Sequence, residues 1–381
     1  MKKISIFSFV CLLLFFLSCS SQPDRSVQTI SVNMDNLRKC DDVVSKIEIQ
    51  PLDTARNAYM SSISRCVIDG ERSFFIDSRG IIFLFDRDGR LLASSQSVYG
   101  QGNGEYNVCL CASYNKFSNC FEVVTPLGMN IYDSNFKYVK TVHFPDKNEG
   151  VAKNRSFFKY IYDIDADRHL LMTSTIAPDP AHIFIYNSKS GDMENDIRPS
   201  QKPFGITMQD NCISDADFFA MPWLDYTFYT IDFKSMQLAD CVKLDFGTDA
   251  VTEADLAGIG DDMAKQAKYF MTCTKPLPVR TFRSGESLVS MLRCGPRRSD
   301  FRLLLANLST GENSVVEMNG GKFSMPFVEN VVDGVVYCCV TDAEIDKYVC
   351  ADLLDSESRK VMETLPKNGS TVILKYHIKN K

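Results

Sequence analysis

The chain has 381 residues, 45% of them apolar and 24% charged, which is enough apolar side chain for a substantial core. Its net charge of −6 comes with no basic excess or stripe, so a nucleic-acid partner is not expected.

Read from the N-terminus, Lys2 and Lys3 precede an apolar run from Ile4 to Leu17, and Ser18-Cys19 follows. The run is too short and too one-sidedly flanked for a stable membrane span, and it reads as a secretory signal peptide. Phe16-Leu17-Ser18-Cys19 resembles a lipobox, with Phe16 where Leu is usual. On that reading residues 1–18 are a lipoprotein signal peptide and Cys19 is the lipid attachment site. Residues 19–40 would then be a lipidated N-terminus and tether, held to a bilayer by several acyl chains. Twelve further cysteines are spread without a Cys-x-x-Cys pair, several of them in apolar runs, which points to core thiols rather than a zinc site.

Beyond the tether, short apolar or aromatic runs alternate with Asp, Asn, Ser and Gly, the form of many strands joined by turns. One pattern recurs, an apolar run ending in Asp or Asn before a polar turn. Its marker residues are Asp86, Asp133, Asn187, Asp232, Asn307 and a degenerate Asp352. The spacings are 47, 54, 45, 75 and 45, and four of the five match a propeller blade of four antiparallel strands. Inside the long interval, Leu256, Ile259, Met263, Ala267 and Phe270 recur at helical steps, so a helical insertion is expected at about 252–272. The strand around Ile47–Leu52 precedes the first marker and could close the ring against the last blade. The expected fold is therefore all-β, a six-bladed β-propeller over residues 41–381 with a short helical insertion between late blades.

Four stretches carry a family likeness: Ile47-Glu48-Ile49-Gln50-Pro51-Leu52-Asp53, Phe83–Arg90, Gly100-Gln101-Gly102-Asn103-Gly104-Glu105-Tyr106, and Asp225–Ile231 with Leu244–Gly247. Together they resemble the six-bladed β-propeller lipoproteins common in Bacteroidetes, from whose usual glycine segment Asn103 departs. The resemblance implies the fold and an envelope location. It implies no particular reaction, since fold does not confer function.

Candidate chemistry is sparse. Gly100–Tyr106 lacks the lysine and the strand-turn-helix setting of a phosphate loop, so a tight turn with Glu105 bound to backbone amides is expected. Glu105 and Tyr106 remain ligand candidates should they reach the central channel. The four histidines, His143, His169, His182 and His377, show no ligand spacing. Asp163-Ile164-Asp165-Ala166-Asp167 approaches a calcium loop, but Arg168 stands where such a loop has Gly, and a solvated turn is expected. Asp215, Asp217 and the Asp261-Asp262 pair are further carboxylates. The single tryptophan, Trp223, lies in an aromatic stretch and is either core or a stacking platform. Asp53-Thr54-Ala55 resembles a short O-glycan acceptor.

The functional expectation is an envelope-anchored lipoprotein at the outer membrane, periplasmic or surface-facing, that binds a ligand, a glycan or a protein partner. No catalytic residue and no metal site are assigned, and no cofactor is called for. The alternative is a calcium-dependent hydrolase or lyase acting on a glycan, peptide or lactone at the channel.

Overall fold

The structure is a computed structural model, which describes residues 27–53, 59–145, 149–174, 177–178, 182–197, 218–220, 226–235, 237–260 and 262–379. Cys19, Trp223, Asp215, Asp217, Asp261, Thr54 and Ala55 lie outside the described residues.

The recurring Asp or Asn is a turn device. Asp86 Oδ1 accepts hydrogen bonds from the backbone N–H groups of Asp88 and Arg90, each at 2.9 Å. Asp133 serves Asn135 and Lys137 in the same way, and Asn187 serves Lys189 and Ser190. Asn307 takes Ser309 and Thr310, and Asp232 takes Lys234. A short side-chain acceptor thus fixes the chain reversal at the end of one strand and aims the next.

Six sheets result. Blade 1 is Ile63–Ile68, Arg72–Asp77, Ile82–Asp86 and Leu91–Ser94. Blade 2 is Cys111–Asn115, Cys120–Thr125, Gly128–Tyr132 and Tyr138–His143. Blade 3 is Phe158–Asp163, Arg168–Thr173, Ile183–Asn187 and Met193–Ile197. Blade 4 contains Phe218–Ala220, Thr227–Asp232 and Gln237–Asp245. Blade 5 is Leu277–Ser284, Ser287–Arg293, Phe301–Asn307 and Asn313–Glu317. Blade 6 takes three strands from the C-terminal end, Val328–Val332, Val335–Thr341 and Thr371–Ile378, and its fourth from Val44–Pro51. That last pairing is antiparallel, with Ile49 opposite Leu374 and Ile47 opposite Tyr376, so the expected closing strand does close the ring.

Two expectations need correction. The sixth marker, Asp352, ends no strand; it sits in a 3-10 turn, Ala351–Leu353. The run Asp342–Thr364 is an excursion of turns and a helix, Ser356–Thr364, between the second and third strands of blade 6. Asp355 starts that helix by accepting the Ser358 N–H at 2.8 Å, and Tyr348 packs its ring into the core instead of extending a strand. The tether is also shorter than residues 19–40. Val27–Ser31 pairs in parallel with Gln237–Asp245 on blade 4, and Leu37–Lys39 pairs in parallel with Asn313–Glu317 on blade 5. The N-terminal segment therefore lies along the outer edges of blades 4, 5 and 6 in turn.

The helical insertion is present as Glu253–Leu256 and Met263–Thr272, between blades 4 and 5. Asp262 caps the longer helix, accepting N–H bonds from Ala264 and Lys265, and Phe270 is buried against both neighbouring blades.

Strand residues point alternately to the two faces of a sheet, and here each face meets a different blade. In blade 1, Phe83 and Phe85 enter the core shared with blade 6, whereas Ile82 and Leu84 enter the core shared with blade 2. In blade 3, Leu171 faces blade 2 while Leu170 and Met172 face blade 4. The six buried clusters fall one to each of the six interfaces between neighbouring blades. A fully buried side chain contributes about 1.5–3 kcal/mol, so stability is spread around the ring.

Candidate functional site

The first strands of the blades line the central channel. A cavity of about 510 Å³ opens there, walled by Ser64–Val67 of blade 1, Cys109–Cys111 leading into blade 2, Lys159 and Tyr160 of blade 3, Arg280 and Phe282 of blade 5, and Glu329 and Asn330 of blade 6. A second cavity of about 370 Å³ shares Arg65, Val67, Tyr160 and Asn330 with the first and continues past Asp163, Ser113 and Asp333. Both volumes lie in the range of small-ligand sites.

Charge in the larger cavity is unbalanced. Arg65, Arg79, Lys159 and Arg280 face two carboxylates, Asp77 and Glu329. Asp77 is bound to Arg79 at 2.6 Å and Glu329 to Arg280 at 2.6 Å, so both carboxylates are already taken. Arg65 lies 4.0 Å over the Tyr160 ring, donates from Nη2 to the Ile161 carbonyl at 3.3 Å, and buries an Nη1 that has no hydrogen-bond partner. The ring face holds the guanidinium by cation–π attraction while it spans the neck between the two cavities.

The wall of the smaller cavity leads to a buried polar cluster between blades 2 and 3. Asp163 and His169 stand directly opposite each other in the first hairpin of blade 3. His169 Nδ1 is 3.0 Å from Asp163 Oδ1 and 2.9 Å from Glu122 Oε2 of blade 2. On the far side of the ring, Nε2 is 3.0 Å from Ser188 Oγ, and the Ser188 hydroxyl donates to the Asp167 carbonyl at 3.2 Å. Asn115 Nδ2 donates to Glu122 Oε1 at 3.1 Å, and Ser113 Oγ donates to Asp163 Oδ1 at 3.1 Å. His169 and Glu122 are wholly buried. Burial, and then the neighbouring Asp163 carboxylate, push the Glu122 carboxyl up to about 8. Burial by itself would lower His169, but the Asp163 and Glu122 carboxylates outweigh it and raise the imidazole to about 10.

These positions revise the sequence reading. The solvated-turn expectation holds for Asp165, which accepts the Asp167 and Arg168 N–H groups and pairs with Arg168 at 2.7 Å. It fails for Asp163, which points inward. Among the histidines, His143 is exposed, His182 is buried in blade 3, and His377 meets Glu48 at 2.9 Å away from the channel.

The glycine segment is a turn, as expected. Glu105 is exposed, and its Oε2 accepts the Gly102 N–H at 2.8 Å. A Cβ on Gly100 would stand 2.2 Å from that carboxylate oxygen, and one on Gly104, at φ +76°, would stand 2.6 Å from the Tyr138 ring. The alternating glycines therefore make room for Glu105 and for the neighbouring strand. Tyr106 points into the interface of blades 1 and 2. It is 3% exposed; its hydroxyl donates to the Gly80 carbonyl at 2.9 Å and meets Ser95 Oγ at 2.5 Å. Neither residue lines either of the two channel cavities, but the chain directly after them, Asn107–Leu110, is part of the wall of the larger one. The motif braces the site without forming it. The residues that do form it, Arg65, Lys159, Arg280 and Glu329, carry no motif in the sequence.

No helix among the described residues is long and apolar enough to cross a membrane. No curated protein matches the chain. A crystal structure of a "Putative exported protein" from Bacteroides fragilis superposes with a TM-score of 0.65 at 12% identity, covering 93% of this chain and 100% of that one, a likeness of fold alone. The WD40 domains of Doa1 and Sif2 superpose less well, with TM-scores of 0.37 and 0.41 at 8% and 9% identity, covering 64% and 82% of this chain and 63% and 92% of theirs. Residues 19–272 match the model of a family described as 6-bladed β-propellers, and the chain, with its six sheets, belongs to that family.

Proposed function

We propose that the protein is an envelope-anchored binding module, held by a lipid on Cys19, whose channel mouth takes a small anionic ligand such as an acidic sugar. The observation that carries this reading is the 510 Å³ cavity in which four cations face two carboxylates that are already paired. In a chain of net charge −6 such a basic pocket is local, and it would draw carboxylate or sulfate groups inward. Arg65, its guanidinium carbon 4.0 Å from the Tyr160 ring centroid, would supply positive charge to a carboxylate in the cavity. The exported character given for the Bacteroides fragilis neighbour and the lipobox-like Phe16–Cys19 both support an envelope location, and outer-membrane anchoring is the form we infer.

Thermal-shift titration with galacturonate oligomers and with neutral glucose oligomers tests the ligand class, since a ligand that binds only the folded state raises Tm. Acidic oligomers are expected to raise Tm and neutral ones not, with the effect lost in Arg65→Ala. Equal responses to both series, or no loss in Arg65→Ala, would reject the anionic channel site. Radiolabelled palmitate incorporation, abolished in Cys19→Ser, tests the anchor.

A further inference from the structure

The cluster between blades 2 and 3 holds two buried carboxylates and one imidazole, a charge problem with few solutions. Each buried carboxylate costs several kcal/mol to desolvate unless a partner offsets it. Ser188 sends its own proton to the Asp167 carbonyl, so its oxygen can only accept from His169, and Nε2 of the ring must carry a hydrogen. That leaves Nδ1 as the atom aimed at both carboxylates. A proton on Nδ1 serves Asp163 Oδ1 along a good line, whereas Glu122 Oε2, on a side chain 1% exposed, has no hydrogen-bond partner although it stands 2.9 Å away. One Nδ1 proton cannot satisfy two acceptors, and the charge of the cluster balances only with a second proton or a cation.

A divalent ion resolves both problems. Glu122, Asp163 and His169 each offer one ligand atom, all within 4.8 Å of one another. Two of the ligands are already oriented from behind, Glu122 by Asn115 through Oε1 and His169 by Ser188 through Nε2, the outer-shell support that metal ligands characteristically have, and Ser113 donates to Asp163 Oδ1 itself. The Nε2–H tautomer leaves the Nδ1 lone pair for the metal. Present separations of 2.9 and 3.0 Å need to open by only a few tenths of an ångström for ligands at ~2.0–2.2 Å from an ion. Asp163 and Ser113 also belong to the wall of the 370 Å³ cavity, which puts one edge of the cluster on the channel.

We infer that Glu122, Asp163 and His169 form a binding site for a divalent transition-metal ion, zinc or a metal of similar preference, with its open coordination position towards the channel. One imidazole with two carboxylates favours such an ion over calcium, which takes six to eight oxygens, typically around ~2.3–2.6 Å. Binding replaces the Nδ1 proton and any proton on Glu122, so uptake releases protons. Three protein ligands with an open position also form the arrangement of zinc centres that bind water or a substrate oxygen. The site would thus stand ready to hold one oxygen of a channel ligand, though its existence does not depend on that ligand's identity.

The test is cobalt and zinc titration of purified protein stripped with a chelator and then exchanged into metal-free buffer. We expect about one Co²⁺ per chain, visible absorption bands of low-coordinate cobalt, displacement by Zn²⁺, and proton release whose heat varies with buffer ionisation. Glu122→Gln and His169→Gln should each weaken binding about tenfold or more, with circular dichroism reporting that each variant is folded. Should His169→Gln fail to fold, Glu122→Gln and X-ray absorption at the zinc edge, reading one nitrogen among oxygen ligands, carry the decision. No Co²⁺ or Zn²⁺ uptake by the folded wild type, uptake unchanged in Glu122→Gln, or binding of calcium alone would each overturn the inference.

Discussion

Strand Cys120–Thr125 shows two ways of joining blades, one on each face. On the side towards blade 1, Phe121 stacks on Phe136 with centroids 3.9 Å apart, and Phe74, Tyr132 and Tyr106 complete an aromatic seam. On the side towards blade 3, the very next residue, Glu122, enters a sheet of charge and hydrogen bonds around His169. The aromatic seam needs only shape, and its ring pairs add ~0.5–1.5 kcal/mol each beyond burial. The polar seam needs every partner at once, since a buried ionic cluster often adds nothing over apolar side chains of the same volume. The interface of blades 2 and 3 has an apolar cluster of its own and adds this polar one beside it, which directs attention to what the polar residues bind.

The largest expected effects come from truncation on the two faces. Phe121→Ala should cost about 3–5 kcal/mol in chemical denaturation, for lost burial and the cavity left behind. His169→Leu should cost a similar ~3–5 kcal/mol at neutral pH, because a buried carboxylate then loses the imidazolium that faces it. The two differ in pH dependence: the Phe121 loss should be flat from pH 5 to 8, whereas the His169 loss should shrink on acidification as the carboxylates take up protons. A flat profile for both would erase the contrast.

Next in size is the joint replacement Glu122→Leu, Asp163→Leu and His169→Leu. Stability should be unchanged or raised by ~1–4 kcal/mol, while metal uptake vanishes. A strongly destabilised triple variant would mean that the polar seam is structural after all.

The pH response of the metal-free wild type should be smaller. Glu122 is raised to about 8 and His169 to about 10 in the folded protein. Both therefore hold protons that the unfolded chain has already released, and stability falls as pH rises through the window between the ordinary and the raised values. Melting followed by calorimetry in chelator should show Tm lower at pH 9 than at pH 6, with the slope reduced in the triple variant. The smallest change is Glu105→Gln, which keeps an acceptor for Gly102 on an exposed turn: a loss below about 0.5 kcal/mol and unaltered ligand binding are expected. A measurable loss of binding would return Glu105 to the site.

Much of the architecture was readable from one chemical habit, the Asp or Asn that turns its own backbone. Asp86, Asp133, Asn187, Asp232 and Asn307 all do so, and their spacing set the blade count. Asp352 misled because its apolar neighbours Tyr348-Val349-Cys350 look like a strand end, whereas Asp355 caps a helix directly after them. Glycine spacing located a tight turn but not its beneficiary, the wall segment Asn107–Leu110. Arg65 and Lys159 were hidden because a channel assembles single residues from blades far apart in sequence. The buried cluster did leave a trace: Asp163 and His169 face each other across one hairpin, and a charged pair at facing positions next to the apolar Leu170-Leu171-Met172 invites the question of a third partner. Glu122 could supply it only once blade 2 lay beside blade 3.

The N-terminal strands along blades 4, 5 and 6 have a consequence for the order of folding. Val27–Ser31 waits for residues 237–245, Leu37–Lys39 for 313–317, and Val44–Pro51 for 371–378. A chain delivered N-terminus first exposes these three edges for different spans, the third until residues 371–378 have emerged. Contacts so distant in sequence make ring closure slow, and unpaired strands are open to mispairing with another chain in the interval. The bond that finishes the ring is thus the last to form, and loss of the final strand would strand all the rest.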